Sequence, residues 1–90
     1  MTHRTTAEFW EAYSVLPEEI RRRADRQFAV FKADPRHASL HFKKIGERQS
    51  REIWSARITV RHRALAIKQA DGYLWFWVGG HENYDLLISS

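Results

Sequence analysis

The stretch REIWSARITVRHRALAIKQADGYLWFWV, residues 51–78, decides the fold. It divides into the runs REIWSARITV, HRALAIKQ and YLWFWV, rich in β-branched and aromatic residues and interrupted by a tight corner near TVRH and by ADGY. In the first run Trp54, Ala56, Ile58 and Val60 alternate with Ser55, Arg57, Thr59 and Arg61, the period of two that sends successive side chains to opposite faces of a sheet. Asp71 and Gly72 tolerate positive φ and predict a type I′ hairpin turn. Connections this short join antiparallel neighbours. Upstream, LHFKKI from Leu40 reads as one more strand, set off by the turn-like GERQS, which makes four.

Before Leu40 the period is helical. Threonines suited to an N-cap precede Phe9, Trp10, Tyr13 and Leu16, which recur at helical spacing. Pro17, Glu18 and Glu19 then suit the start of a second helix, where acidic side chains meet the positive end of the helix dipole. Ile20, Ala24, Phe28 and Phe31 form its apolar stripe, and ADP at residues 33–35 ends it. Two helices followed by a run of strands predict an α+β fold, a helical hairpin packed on one face of a four-stranded antiparallel sheet with the other face left to solvent. On that reading Trp54, Ala56, Ile58 and Val60 lie under the helices, and Arg57 and Arg61 lie on the open side. Arg63 breaks simple alternation, because it falls in phase with Leu65 and Ile67; either it reaches outward from a strand end, or a bulge near TVRH reverses the parity.

The chain has 90 residues, which predicts a single domain over 1–90 with one modest core. Its 43% apolar content and four tryptophans are those of a globular protein. No run approaches the roughly 20 apolar residues of a spanning helix, and MTHRTTAEFW lacks the layout of a signal peptide, so no membrane association and a cytoplasmic location are expected. There is no cysteine, which removes disulfides, thiolate nucleophiles and cysteine-held zinc. The five histidines show no His-x-x-x-His pattern, so neither a metal site nor any other cofactor is expected. Fifteen Lys+Arg against eleven Asp+Glu give a net charge of +4, which favours an anionic partner, nucleic acid or acidic protein.

The strand YLWFWV is apolar on both faces, as in a strand with neighbours on each side, and Trp75 and Trp77 fall in phase, available on the solvent side to stack on bases or receive an apolar peptide. Gly79 and Gly80 then predict a sharp backbone turn that delivers His81 to the rim.

A helix hairpin with LP at its corner, then DPRHASLHFKKIG, then WSARI followed by RHRAL, then an aromatic strand ending in WVGGHENYDLLI, resembles the RelE/ParE superfamily of bacterial type II toxins. The resemblance covers residues 5–88. WSARI…HRAL is similar to WSRRI…HRLVY of YoeB-type toxins, and the G-H-x-x-Y ending is similar to that of RelE/ParE-like proteins. It implies a microbial-RNase-like α+β sheet, with a short first strand from HRTT at the sheet edge. It also implies a cognate antitoxin whose C-terminal segment wraps the toxin. Two activities occur in the superfamily: RelE-like and YoeB-like members cleave mRNA in the ribosomal A site without a metal, whereas ParE-like members poison DNA gyrase and lack the nuclease residues. A plain basic RNA-binding domain is a third reading, which the architecture permits and no motif supports.

Metal-free RNA cleavage uses the adjacent 2′-hydroxyl as nucleophile, so it needs a base, an acid for the 5′-oxygen, and cations for the charge gathering on phosphorus. Histidine titrates nearest neutrality, which makes His81 the leading acid or base, against the plainer role of a solvated loop histidine. Tyr84 either orients a phosphate or stacks on a base, or else anchors the C-terminal segment to the core. By the resemblance, Arg63 matches the arginine that binds the scissile phosphate; its structural alternative is a salt bridge to Glu18 or Glu19. Arg57 is its partner on the open face, and Arg61 extends the same cationic side. Lys43 and Lys44 fall where RelE-type toxins place lysines and YoeB-type toxins place a glutamate base. That glutamate is absent here; His41, on a strand edge, or Glu52 as second choice would take its place.

Overall fold

The computed structural model describes residues 2–80, and the architecture is α+β, two helices packed on a five-stranded sheet. In chain order the elements are β1 (Thr2–Thr5), α1 (Ala7–Ser14), α2 (Glu18–Ala33), a 3-10 turn (Ala38–Leu40), β2 (Lys43–Arg48), β3 (Arg51–Thr59), β4 (His62–Gln69) and β5 (Gly72–Gly80). The strands lie in the order β1-β5-β4-β3-β2, all antiparallel except the pair β1–β5. The four expected strands are present. The fifth is an edge strand at Thr2–Thr5, starting one residue before HRTT, and it runs parallel to β5, from which both helices and three strands separate it along the chain.

Local chemistry sets the helix ends. The side-chain oxygen of Thr6 accepts the Phe9 amide at 3.1 Å and starts α1. Helix α2 begins after Pro17 and stops at Asp34, which is held extended (φ −155°, ψ 94°) as a residue before proline prefers. Tyr13 of α1 donates to Asp25 of α2 at 2.8 Å, and Arg21 of α2 donates to the Leu16 carbonyl in the link between the helices at 2.6 Å. Of the expected α2 stripe, Ala24 and Phe31 are buried, whereas Phe28 sits at the rim, 37% exposed.

Phe31 is the hub of the core. Its ring meets those of Phe42, Tyr73 and Trp75 edge-on at centroid distances of 4.8, 5.9 and 5.3 Å. Beneath it Ala56, Ala64 and Ala66 are buried; small side chains there let α2 approach the sheet closely. Trp75 belongs to this core, 4% exposed, and is not on the solvent side.

Three turns differ from expectation in detail. GERQS is mostly strand: only Gln49 and Ser50 form the β2–β3 turn, both at positive φ (53° and 67°), the conformation of a type I′ loop. Ala70 and Asp71 form the β4–β5 turn, neither at positive φ, and Gly72 is already strand, paired with Gln69. Glycine is needed at 72 because a Cβ there would lie 1.9 Å from the Thr2 carbonyl oxygen. Gly79 and Gly80 do not turn the chain; both are extended in β5, opposite Arg63 and His62.

The sheet face away from the helices is also less open than expected. Ile53, Ser55 and Leu65 lie on it and are buried, at 4%, 3% and 0% exposure. A bulge in β5 makes room for this second apolar layer: Leu65 pairs with Trp77 and Ala66 with Trp75, so Phe76 is the extra residue and the two tryptophans point to opposite faces.

Candidate phosphate-binding face

The parity of Arg63 is settled by another bulge. Ala56 pairs with Ala64 and Arg57 with Arg63, but Thr59 pairs with His62, which leaves Ile58 as the extra residue of β3. Since Ala56 and Ala64 are on the helix side, the partners Arg57 and Arg63 stand side by side on the other face. Like charges directly opposite each other across an antiparallel ladder oppose folding. The Arg57 Nε is in addition buried with no hydrogen-bond partner among the described residues. An oxyanion seated against the pair relieves both penalties, since guanidinium groups present N–H donors in a geometry that matches a phosphate.

The scaffold fixes each arginine differently. Arg63 Nη1 donates to the carbonyls of Thr59, Val60 and His62 at 2.6, 3.2 and 3.0 Å, bracing the β3–β4 corner. The alternative of a salt bridge to the second helix is not what is found for Glu18, which pairs with Arg22 at 2.9 Å. Arg57 is held through its backbone: Gln27 of α2 donates Nε2 to the Arg57 carbonyl at 2.9 Å. Arg57 borders the bulge, and this side-chain amide gives its carbonyl a donor from the helix layer. Nothing in the sequence marks Gln27 for this role, because a polar residue in a helix carries no sign of what it meets.

The remaining candidates divide. Lys43 pairs with Ser55, which pairs with Leu65, so it lies on the arginine face and is exposed. Lys44 pairs with Trp54 on the opposite parity and is engaged by Glu47 at 2.7 Å; that hydrogen bond raises the lysine's pKa and lowers the carboxylate's. Glu52 accepts from the Trp54 indole at 2.9 Å and shares its parity, away from the arginines. Arg61 is exposed in the corner, its amide donating to Thr59 Oγ1 at 3.2 Å. His41 is not on a strand: it follows the 3-10 turn in the left-handed conformation, φ 43° and ψ 42°. Val60, expected under the helices, is a corner residue, 75% exposed. His62 is a further candidate: its Nδ1 lies 2.8 Å from Thr59 Oγ1, and its backbone pairs with Gly80. His81 and Tyr84 lie outside the described residues.

Among the described residues no three His, Asp or Glu side chains gather as metal ligands do, and no helix is long and apolar enough to cross a membrane. An apolar cleft of about 80 Å³ between helices and sheet, bordered by Thr5, Phe9, Trp10 and Phe28, contains none of the candidate groups.

A helical hairpin packed on a mixed sheet ordered β1-β5-β4-β3-β2 is the architecture of RelE/ParE-type toxins. Residues 18–85 match the ParE-like toxin domain model, and the chain belongs to that family, within the RelE/ParE superfamily. It is similar in fold to the RelB–RelE antitoxin–toxin complex from Methanococcus jannaschii, with a TM-score of 0.70, 16% identity, and coverage of 92% of this chain and 96% of that one. The archaeal RelE–RelB complex from Pyrococcus horikoshii OT3 matches at 0.66 and 15% identity, covering 90% and 97%. The YoeB/ParE toxin from Agrobacterium tumefaciens matches at 0.68 and 17%, covering 90% and 99%. No curated protein sequence matches significantly.

Proposed function

We propose that this chain is the toxin of a type II toxin–antitoxin pair and acts in the cytoplasm as a metal-independent endoribonuclease on mRNA held in the ribosome. The carrying observation is that Arg57 and Arg63 stand side by side across the ladder, with the buried Arg57 Nε lacking a hydrogen-bond partner among the described residues, a donor that an anion would satisfy. In this reading the two guanidinium groups grip the scissile phosphate and stabilise the charge that builds as the 2′-hydroxyl attacks phosphorus. Lys43 and Arg61 add positive potential along the RNA path. His81 carries the proton to the departing 5′-oxygen and Tyr84 orients the phosphate, while His41 remains the candidate base. The ribosome supplies alignment that an exposed site lacks. The neighbours described as RelE–RelB complexes support a cognate antitoxin as partner.

The ParE-like description of the matching family favours a second reading, a DNA gyrase poison that works by gripping protein. Purified chain added to a translating extract separates the two. Shortening of ribosome-bound mRNA, lost at least ~100-fold in Arg57→Ala and His81→Ala, supports the nuclease; removal of a positioned catalytic donor or proton carrier costs about that much. Intact mRNA together with arrested gyrase overturns it in favour of the second.

A further inference from the structure

Trp77 occupies a position the arginine reading leaves unexplained. Its Cζ2, Cη2 and Cε2 atoms lie 2.5, 3.0 and 3.1 Å from the point where a Cβ on Gly79 would stand. Gly79 is the cross-strand partner of Arg63. The indole therefore fills the place of the missing side chain at 79 and becomes the aromatic neighbour of Arg63, on the same face as Arg57. The Phe76 bulge turns Trp77 to this face, and the absence of a side chain at Gly79 lets the ring lie along the strand. Trp77 is half-buried, so part of the ring remains exposed.

Across the sheet the row reads Arg57, Arg63, then the Trp77 ring over Gly79. Neighbouring strands are about 5 Å apart, so the ring over Gly79 lies about one spacing from the Arg63 backbone and about two, ~10 Å, from that of Arg57. That is the scale separating a phosphate from the base of its own or the adjoining nucleotide. A flat aromatic beside paired cations is how proteins hold single strands, since every base offers a face to stack and every linkage a charge.

We propose that Trp77 is a nucleobase platform, stacking one base of a single-stranded RNA whose phosphate rests on Arg57 and Arg63. This rests on the reading of the arginine pair as a phosphate grip, and the test separates the two. The probes are an uncleavable 2′-O-methyl hexanucleotide and the same backbone made abasic, titrated against full-length protein. The base-bearing strand is expected to bind at least ~5-fold more tightly, the lower end of the stacking range of about 1–3 kcal/mol per base. In Trp77→Leu that ratio should fall toward one while abasic binding stays within about twofold of wild type; Trp77→Tyr should keep most of it. Gly79→Ala, which leaves Trp77 in place but displaces its ring, should also collapse the ratio, with thermal melts confirming that each variant folds. Equal binding of both strands by wild type, or an unchanged ratio in folded Trp77→Leu, overturns the platform and leaves the phosphate grip standing. Binding of neither strand overturns the grip, and the platform with it.

Discussion

Arg57 and Arg63 are direct partners across the β3–β4 ladder, on the sheet face that the helices do not cover. Their charges repel, and Arg57 Nε lacks a partner among the described residues. Replacing Arg57 by methionine keeps the stem and removes both penalties. Stability should hold or rise by about 0.5–1 kcal/mol. Affinity for single-stranded RNA should fall ~10-fold or more, and the slope of log K against log salt should shrink by about 0.7, the share of one phosphate contact. Urea denaturation and a salt titration measure the two effects. A variant that loses stability instead would mark Arg57 as a structural residue.

Arg63 is a poorer probe of function than Arg57, because its Nη1 braces the Thr59, Val60 and His62 carbonyls. Gln27 isolates the backbone support of Arg57 without touching either charge. In Gln27→Leu the carbonyls of Arg57 and Ser39 both lose their donor. An unsatisfied, partly buried carbonyl costs about 1–3 kcal/mol, so the melting temperature should drop by several degrees. RNA affinity should fall with it, and a full return of affinity on cooling well below the melt would show that Gln27 only stabilises and does not position.

How far the sequence could be read follows from where its periods hold. The helix hairpin was legible because the Thr6 cap, the Pro17 start and the Ala24–Phe31 spacing obey local rules that the packed protein does not override. Alternation placed Arg57 correctly and failed just beyond it. Ile58 and Phe76 are bulge residues, each shifting everything after it by one position, and a bulge leaves no mark in a pattern of apolar and polar residues. Unbroken alternation therefore sends Val60 to the core and puts Trp75 on one face with Trp77, whereas Val60 is exposed and Trp75 is buried. The Gln49–Ser50 turn escaped for a similar reason, since neither residue advertises positive φ as Asn-Gly does. Lys44 and Glu52 looked available in one dimension and proved engaged by Glu47 and Trp54.

Gly72 tests the edge strand. A Cβ at this position would meet backbone atoms of Thr2, at 1.9 Å from its oxygen, 2.6 Å from its nitrogen and 2.7 Å from its carbonyl carbon, and backbone cannot rotate aside as a side chain can. Gly72→Ala should therefore detach β1 from β5, beginning at the Thr2 amide that now donates to the Asp71 carbonyl at 2.7 Å. A loss of more than about 2 kcal/mol is expected, in the range of strain-inducing substitutions. Hydrogen exchange should speed up across residues 2–5 far more than in β3 and β4; uniform acceleration would refute a local effect.

His3 gives the fold a pH dependence of its own. Its ring packs edge-on against Phe28 and Phe31 at 5.6 and 5.0 Å, and its Nδ1 is buried without a partner among the described residues. Burial, followed by nearby positive charge including Lys32, lowers its pKa below the usual 6.5. The folded state thus releases the proton more readily than the unfolded chain, and the unfolded chain binds more protons just below pH 6.5. The associated stability is fully present above 6.5 and is lost as the pH falls from there through the lowered folded value. Melting temperatures recorded from pH 7.5 downward should decline across that window in wild type, and His3→Phe should flatten this part of the curve while the carboxylate-driven loss at lower pH persists. An identical decline in both proteins would show that another group is responsible.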